Sequence, residues 1–246
     1  MAEETTDKAL PLIKVFKAAA DYIEEFPARF SLFAAINWLF LLIGFDYMGG
    51  WSNPLFLVWT IFYYLFWCFF FRLHYGRKPY FSAGKIFDSL VPSTKILFIT
   101  LVFVTLLAVI PYAPLFMGLP LEFTDKYTYF LKKYMQDSKI VDFGLSFILI
   151  FVSPLIFYRP FFAWISSVIG RSGLLRTAWN KTKGNYWRFV LIAVVFNAAF
   201  FAVEYAGAVL GAGLWLLLPA YAVLIVYFNL VIIKAYDFFF LDNLTE

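Results

Sequence analysis

The sequence predicts an all-α integral membrane protein with six transmembrane helices, and three observations predict it. Hydrophobic residues make up 63% of the chain and charged residues 15%, whereas a soluble domain is about half apolar and a quarter charged. That excess is more than one water-soluble core can bury, which makes the bilayer the solvent. The apolar residues are gathered into six long runs. Basic residues are sorted between alternate connections of those runs, the pattern that orients membrane proteins.

The chain begins MAEETTDKAL, which is acidic and lacks the basic-then-apolar plan of a signal peptide, so an uncleaved start is expected. Residues 11–26 follow with helical periodicity. Leu12, Phe16, Ala19, Ile23 and Phe26 share one face, and Lys14, Lys17, Asp21 and Glu24 share the other. The six spans are placed near 30–48, 54–72, 96–116, 141–160, 189–209 and 214–234, each close to the roughly 20 apolar residues that cross a hydrocarbon core. Pro154 and Pro160 interrupt the fourth, which is expected to end near Arg159 and bend into an interfacial segment reaching Ile169. Two further stretches read as amphipathic helices. Phe123, Tyr127, Phe130 and Tyr134 form a stripe in 123–136. In 172–183, Leu175, Ala178, Trp179 and Thr182 oppose Arg176, Asn180 and Lys183, with Gly184-Asn185 as the stop. Such helices either lie in the membrane interface, apolar side down, or pack on one another as a cytoplasmic cap.

Charge sets the orientation. Lys8, Lys14, Lys17 and Arg29 precede the first span. Arg72, Arg77, Lys78, Lys85 and Lys95 fill the second connection, and Arg171, Arg176, Lys181, Lys183 and Arg188 fill the fourth. The first and fifth connections carry no Lys or Arg, and the lysines of the third are balanced by Glu122, Asp125, Asp137 and Asp142. Both termini and the even connections are therefore expected in the cytoplasm, and the chain is expected to form a single polytopic domain over 1–246. The net charge of +4 is accounted for by these loops, and nucleic acid is not an expected partner. Expected partners are membrane lipids, anionic ones above all, together with a membrane-protein partner or a second copy of the chain.

A weak repeat joins EEFPARFSLFAA, SLVPSTKILFIT and GNYWRFVLIAVV, each an amphipathic helix end, a break, a basic residue and a span. Arg29, Lys95 and Arg188 match at the starts of the odd spans, and Arg72, Arg159 and Lys234 lie near the ends of the even ones. This reads as three helical hairpins, each led by an interfacial helix. The expected role of the six basic residues is to snorkel toward headgroups. Shared membrane grammar would produce the same short pattern without a repeat.

Residues 159–190 combine Arg159 late in a span, the basic turn Gly170-Arg171, the run Leu175-Arg176-Thr177-Ala178-Trp179, and Lys183-Gly184-Asn185-Tyr186-Trp187-Arg188. In these features the stretch resembles the bacterial YciC-like family, which is related to the membrane domain of glycerophosphodiester phosphodiesterases. Ile169 stands where that family usually has an acidic residue. The resemblance implies a bacterial inner-membrane location and says little about chemistry. A phosphodiesterase activity does not follow, because that relative's catalytic domain is a soluble barrel of about 250 residues, for which six spans leave no room.

Three intramembrane polar residues are candidates for a site. Glu204 falls inside the fifth span, roughly 24 Å along the helix from Arg188, where an ionisable group normally faces protein or water. Asn197 lies on the same helix face, while Ala198, Ala202 and Ala206 make a small-residue stripe nearly opposite. These features place the fifth span near the bundle centre. Glu204 then holds the bundle together, serves a proton, ion or substrate path, or sits at the outer interface where it reaches water. Arg159 reads as a counter-ion for Glu204, as a ligand for a lipid phosphate, or as a snorkelling residue at a proline bend. Asn37 and Asn229 are expected to bond neighbouring helices, and His74, the only histidine, to be a solvated loop residue.

Arg171, Arg176, Lys181, Lys183 and Arg188, with Trp179 and Trp187, are candidate headgroup or partner contacts. The eight tryptophans are expected near span ends as an aromatic belt. Cys68 is the only cysteine, and no phosphate loop, nucleophile elbow or metal-ligand cluster occurs, so neither cofactor nor metal is expected. The first reading is a non-enzymatic inner-membrane protein with a structural, assembly or envelope-maintenance role. The second is a small transporter or channel using Glu204, Asn197 and Arg159.

Overall fold

The computed structural model describes residues 9–46, 54–77, 122–126, 129, 158–171, 175–211 and 213–241. All regular structure among the described residues is helical. The elements are α1 (Leu12–Glu25), α2 (Pro27–Asp46), α3 (Pro54–His74), α4 (Arg159–Val168), α5 (Leu175–Lys181), α6 (Tyr186–Val209) and α7 (Leu214–Phe240). Three of these helices contain stretches long and apolar enough to cross a membrane: Pro27–Gly44, Tyr186–Val209 and Trp215–Phe240. The third predicted span, nearly all of the fourth and most of the 123–136 helix lie outside the described residues.

Helix α1 ends where predicted. Only Phe26 separates it from α2, which opens on Pro27, a residue that suits a first helical turn because the N–H it lacks has no intrahelical partner there. The apolar side of α1 buries Val15 and Ala19 completely, and the Tyr227 hydroxyl of α7 donates to the Phe16 carbonyl at 3.3 Å. α1 packs on α2 and α7, so part of its apolar face meets protein.

Among the described helices α7 packs against α1, α2 and α6, whereas α6, expected near the bundle centre, packs mainly on α7. Leu230, Val231, Ile232, Ile233, Ala235 and Tyr236 are all buried within a few turns of α7. On α6 Val190 and Ile192 are buried near its start, and a line of positions runs along one side: Phe189, Ala193, Phe196 and Gly207 buried, with Phe200 and Val203 half-buried between them. These alternate by four and three residues, the seam of a helix that covers one side of a neighbour. Gly207 lets α6 approach α7, since a Cβ there would lie 2.7 Å from the Leu217 side chain. Ala198, Ala202 and Ala206, the predicted close-packing stripe, are exposed.

Helix α3 packs on α2 through Phe33, whose ring meets Phe70 edge-on at 4.6 Å, and on α4 through Phe71 and Trp164 at 5.1 Å. The Trp59 indole donates to the Phe40 carbonyl at 3.0 Å. Asn37 behaves as predicted: its amide donates to the Ala222 carbonyl at 3.1 Å and accepts from the Tyr63 hydroxyl at 2.9 Å, joining α2, α3 and α7. Asn229 instead donates back to Ile225 within its own helix.

The segment after Arg159, expected to bend into the interface, forms α4, whose Phe162, Ala163, Trp164, Ile165 and Val168 are buried against protein. Phe162 packs near Phe189, Tyr236, Phe239 and Phe240. Four aromatic rings around the one buried Phe162 side chain help to hold α4 among its neighbours.

Candidate functional site

The basic segment that follows α4 is built by two left-handed glycines. Gly170, at φ +82°, lets the chain reverse after α4, and the Arg171 N–H returns to the Ser166 carbonyl at 2.8 Å. Helix α5 then packs on α4 with Ala178 fully buried. The Thr182 hydroxyl donates to the Ala178 carbonyl at 2.8 Å, and Gly184, at φ +79°, ends the segment at the predicted stop. Asn185 ties the start of α6 to the rest of this end. Its Oδ1 accepts from the Leu10 N–H at 2.8 Å and from Arg188 at 3.0 Å, and its amide donates to the Lys183 carbonyl at 3.2 Å.

The frame leaves the cations facing outward. Arg171, Arg176, Lys181 and Lys183 are exposed and Arg188 is half-buried. Arg171 donates to the Phe240 carbonyl at 3.3 Å, and Lys181 sits over the Phe240 ring at 5.1 Å. Trp179 and Trp187 are also exposed here. Trp164, by contrast, is buried and donates to the Tyr64 hydroxyl at 3.1 Å, so this tryptophan belongs to the core and not to a belt.

The three intramembrane candidates do not form one cluster. Arg159 is 7% exposed and lies with its guanidinium 4.1 Å from the centre of the Trp179 ring. Glu204 and Asn197 are exposed on α6, beside its buried seam. The Tyr221 hydroxyl donates to Glu204 Oε1 at 3.2 Å, which links α6 to α7. The Asn197 amide donates to the Ala193 carbonyl of its own helix at 2.8 Å.

Sequence reasoning missed a polar cluster where α1, α3 and α7 meet. The Tyr75 hydroxyl donates to Asp237 Oδ1 at 2.7 Å, and Lys234 lies 4.0 Å from the other oxygen of Asp237. Lys234 also lies 5.5 Å from the centre of the Tyr22 ring. The Ser166 and Tyr236 hydroxyls share a hydrogen bond of 2.8 Å. The available signal was Asp237 three residues after Lys234 on one helix face.

His74 was expected in a solvated loop but is the last residue of α3, packed against Tyr22 at 4.8 Å and Tyr75 at 5.1 Å. Its Nδ1 is buried without a hydrogen-bond partner. Burial, with lesser contributions from Lys234 and Arg29, pushes this imidazole down to about 3, so it is neutral at physiological pH. Burial likewise raises the Tyr22 hydroxyl above its ordinary range.

Among the described residues no group of His, Cys, Asp and Glu side chains could hold a metal ion. What the arrangement offers is cationic and aromatic groups directed outward from one end of a packed helical core. Comparison with family models, with curated proteins and with solved structures finds no match.

Proposed function

We propose that this chain is a multi-pass protein of the bacterial inner membrane that works by binding, holding anionic lipid or a membrane partner at its basic end in a structural, assembly or envelope-maintenance role. One observation carries the reading. Arg171, Arg176, Lys181 and Lys183 project from one end of the helical core, and no carboxylate among the described residues pairs with Arg176, Lys181 or Lys183. Exposed cations beside exposed tryptophans match the chemistry of an anionic headgroup layer. The positive-inside pattern supports six spans with both termini cytoplasmic, and the likeness of residues 159–190 to YciC-like proteins supports the inner-membrane assignment.

The experiment is gentle extraction followed by identification of what co-purifies. The expected result is anionic phospholipid, with or without a membrane-protein partner, that is lost when Arg171, Arg176, Lys181 and Lys183 are replaced together by Gln. A lipid-free monomer that conducts ions in liposomes would contradict the proposal and favour the transporter reading.

A further inference from the structure

We infer that Arg159 is the recognition group of a phosphate site, and that the phosphate it takes belongs to an anionic phospholipid headgroup. This rests on the lipid-binding reading above and names the side chain that would give it specificity.

Four other basic residues near this end have hydrogen-bond or ion-pair partners in the protein. Arg72 donates to the Val168 carbonyl at 2.7 Å, Arg171 to the Phe240 carbonyl, Arg188 to Asn185, and Lys234 faces Asp237. Arg159 differs. It is more than nine-tenths buried, its Nε is sealed from solvent without a hydrogen bond, and its contact is the face of Trp179. A guanidinium stays protonated wherever it sits. A buried charge is tolerated when an opposite charge and hydrogen bonds compensate it. Stacking on an indole supplies part of that attraction but uses none of the N–H donors. The unmet requirement is an anion with several acceptor oxygens, which a guanidinium fork binds through parallel hydrogen bonds.

The surroundings select the source of the anion. Arg159 opens α4 next to Tyr158, whose ring stacks on Phe189 at 5.2 Å and meets Phe228 at 6.1 Å, so the helix start that carries Arg159 is anchored in the apolar core. On the other side Trp179 is 41% exposed, and Arg176 and Lys183 lie three residues before it and four after it, both exposed. A ligand with an anionic head and apolar tails meets both environments at once, which a free inorganic anion does not.

The test uses the full-length protein in nanodiscs containing phosphatidylglycerol and phosphatidylcholine, with retained lipid counted by native mass spectrometry. Wild type is expected to retain phosphatidylglycerol selectively, and Arg159→Gln to lower that retention about tenfold, the loss expected for hydrogen bonds to a charged group. Arg159→Lys preserves charge but not the planar fork, and is expected to lower retention several-fold while keeping the wild-type melting temperature. It therefore reads the site even where Arg159→Gln folds poorly. Wild-type retention in Arg159→Lys and in folded Arg159→Gln would overturn the site. If the Arg176→Gln/Lys183→Gln pair then loses selectivity, the broader lipid-binding reading survives without Arg159. If no variant changes retention, both fall. Displacement of the lipid by millimolar inorganic phosphate would overturn the headgroup as the source.

Discussion

The two ends of the α6–α7 pair are made from similar apolar sequence and have opposite surroundings. At the basic end Phe162, Phe189 and Tyr236 are fully buried around α4, and hydroxyl and amide bonds tie α1, α3, α6 and α7 together. At the opposite end Phe201 is 68% exposed, Leu210 80% and Leu216 73%, and the Tyr221–Glu204 bond joins the two helices. The difference shows that hydrophobicity alone does not report packing in a membrane protein, since lipid and core both accept Phe and Leu. What separates the two ends is the spacing of buried positions and the density of interhelical polar bonds.

Replacement of core aromatics should separate the ends most. Phe162→Ala is expected to destabilise the protein by about 3–5 kcal/mol, the usual cost of truncating a buried phenylalanine, read as a lowered unfolding midpoint in mild detergent. A smaller loss is expected from Tyr75→Phe, about 1–3 kcal/mol, because it leaves buried Asp237 without its hydroxyl donor. Equal stability of Tyr75→Phe and wild type would remove the polar cluster from the account of this end.

Acid provides a gentler probe. His74 takes up its proton at 6.5 when exposed but only near 3 in the fold. The unfolded chain therefore binds more protons between those values, so stability is present above 6.5 and declines as pH falls toward 3. His74→Phe should flatten this part of the profile relative to wild type, and an unchanged slope would show that the imidazole is not held neutral. The smallest effects belong to the opposite end. Phe201→Ala should shift stability by no more than about 0.5 kcal/mol, as at other exposed positions. Glu204→Gln should do the same, because a glutamine oxygen still accepts from Tyr221. A large loss of stable protein in Glu204→Gln would show that this side of α6 is covered.

Much of the helical organisation was legible from period and punctuation. Residues 11–26 became α1 within a residue at each end, because Phe26-Pro27 breaks the chain as written. Gly184-Asn185 stopped the α5 segment for the reason its sequence suggests, a left-handed glycine. The sixth span, placed near 214–234, lies within α7, which runs on to Phe240 with Lys234 facing Asp237. The packing of α6 was not legible. Glu204, Asn197 and the alanine stripe implied its enclosure, yet among the described helices α6 packs mainly on α7, and a polar residue beside a seam looks like one inside it when only the sequence is read. Arg159 was visible as an unusual charge, but its burial against Trp179 depends on α5 folding back on α4, which no local pattern specifies.

The most direct test of the account is which side of the membrane each end faces. With Cys68 replaced by Ser, single cysteines introduced by Lys183→Cys at the basic end and Gly213→Cys at the α6–α7 turn can be probed with a membrane-impermeant thiol reagent. The account predicts labelling of the Gly213→Cys protein in intact spheroplasts and of the Lys183→Cys protein only after lysis. Labelling of the Lys183→Cys protein in intact spheroplasts would contradict it, because the basic end would then face away from the anionic cytoplasmic surface on which the proposed function depends.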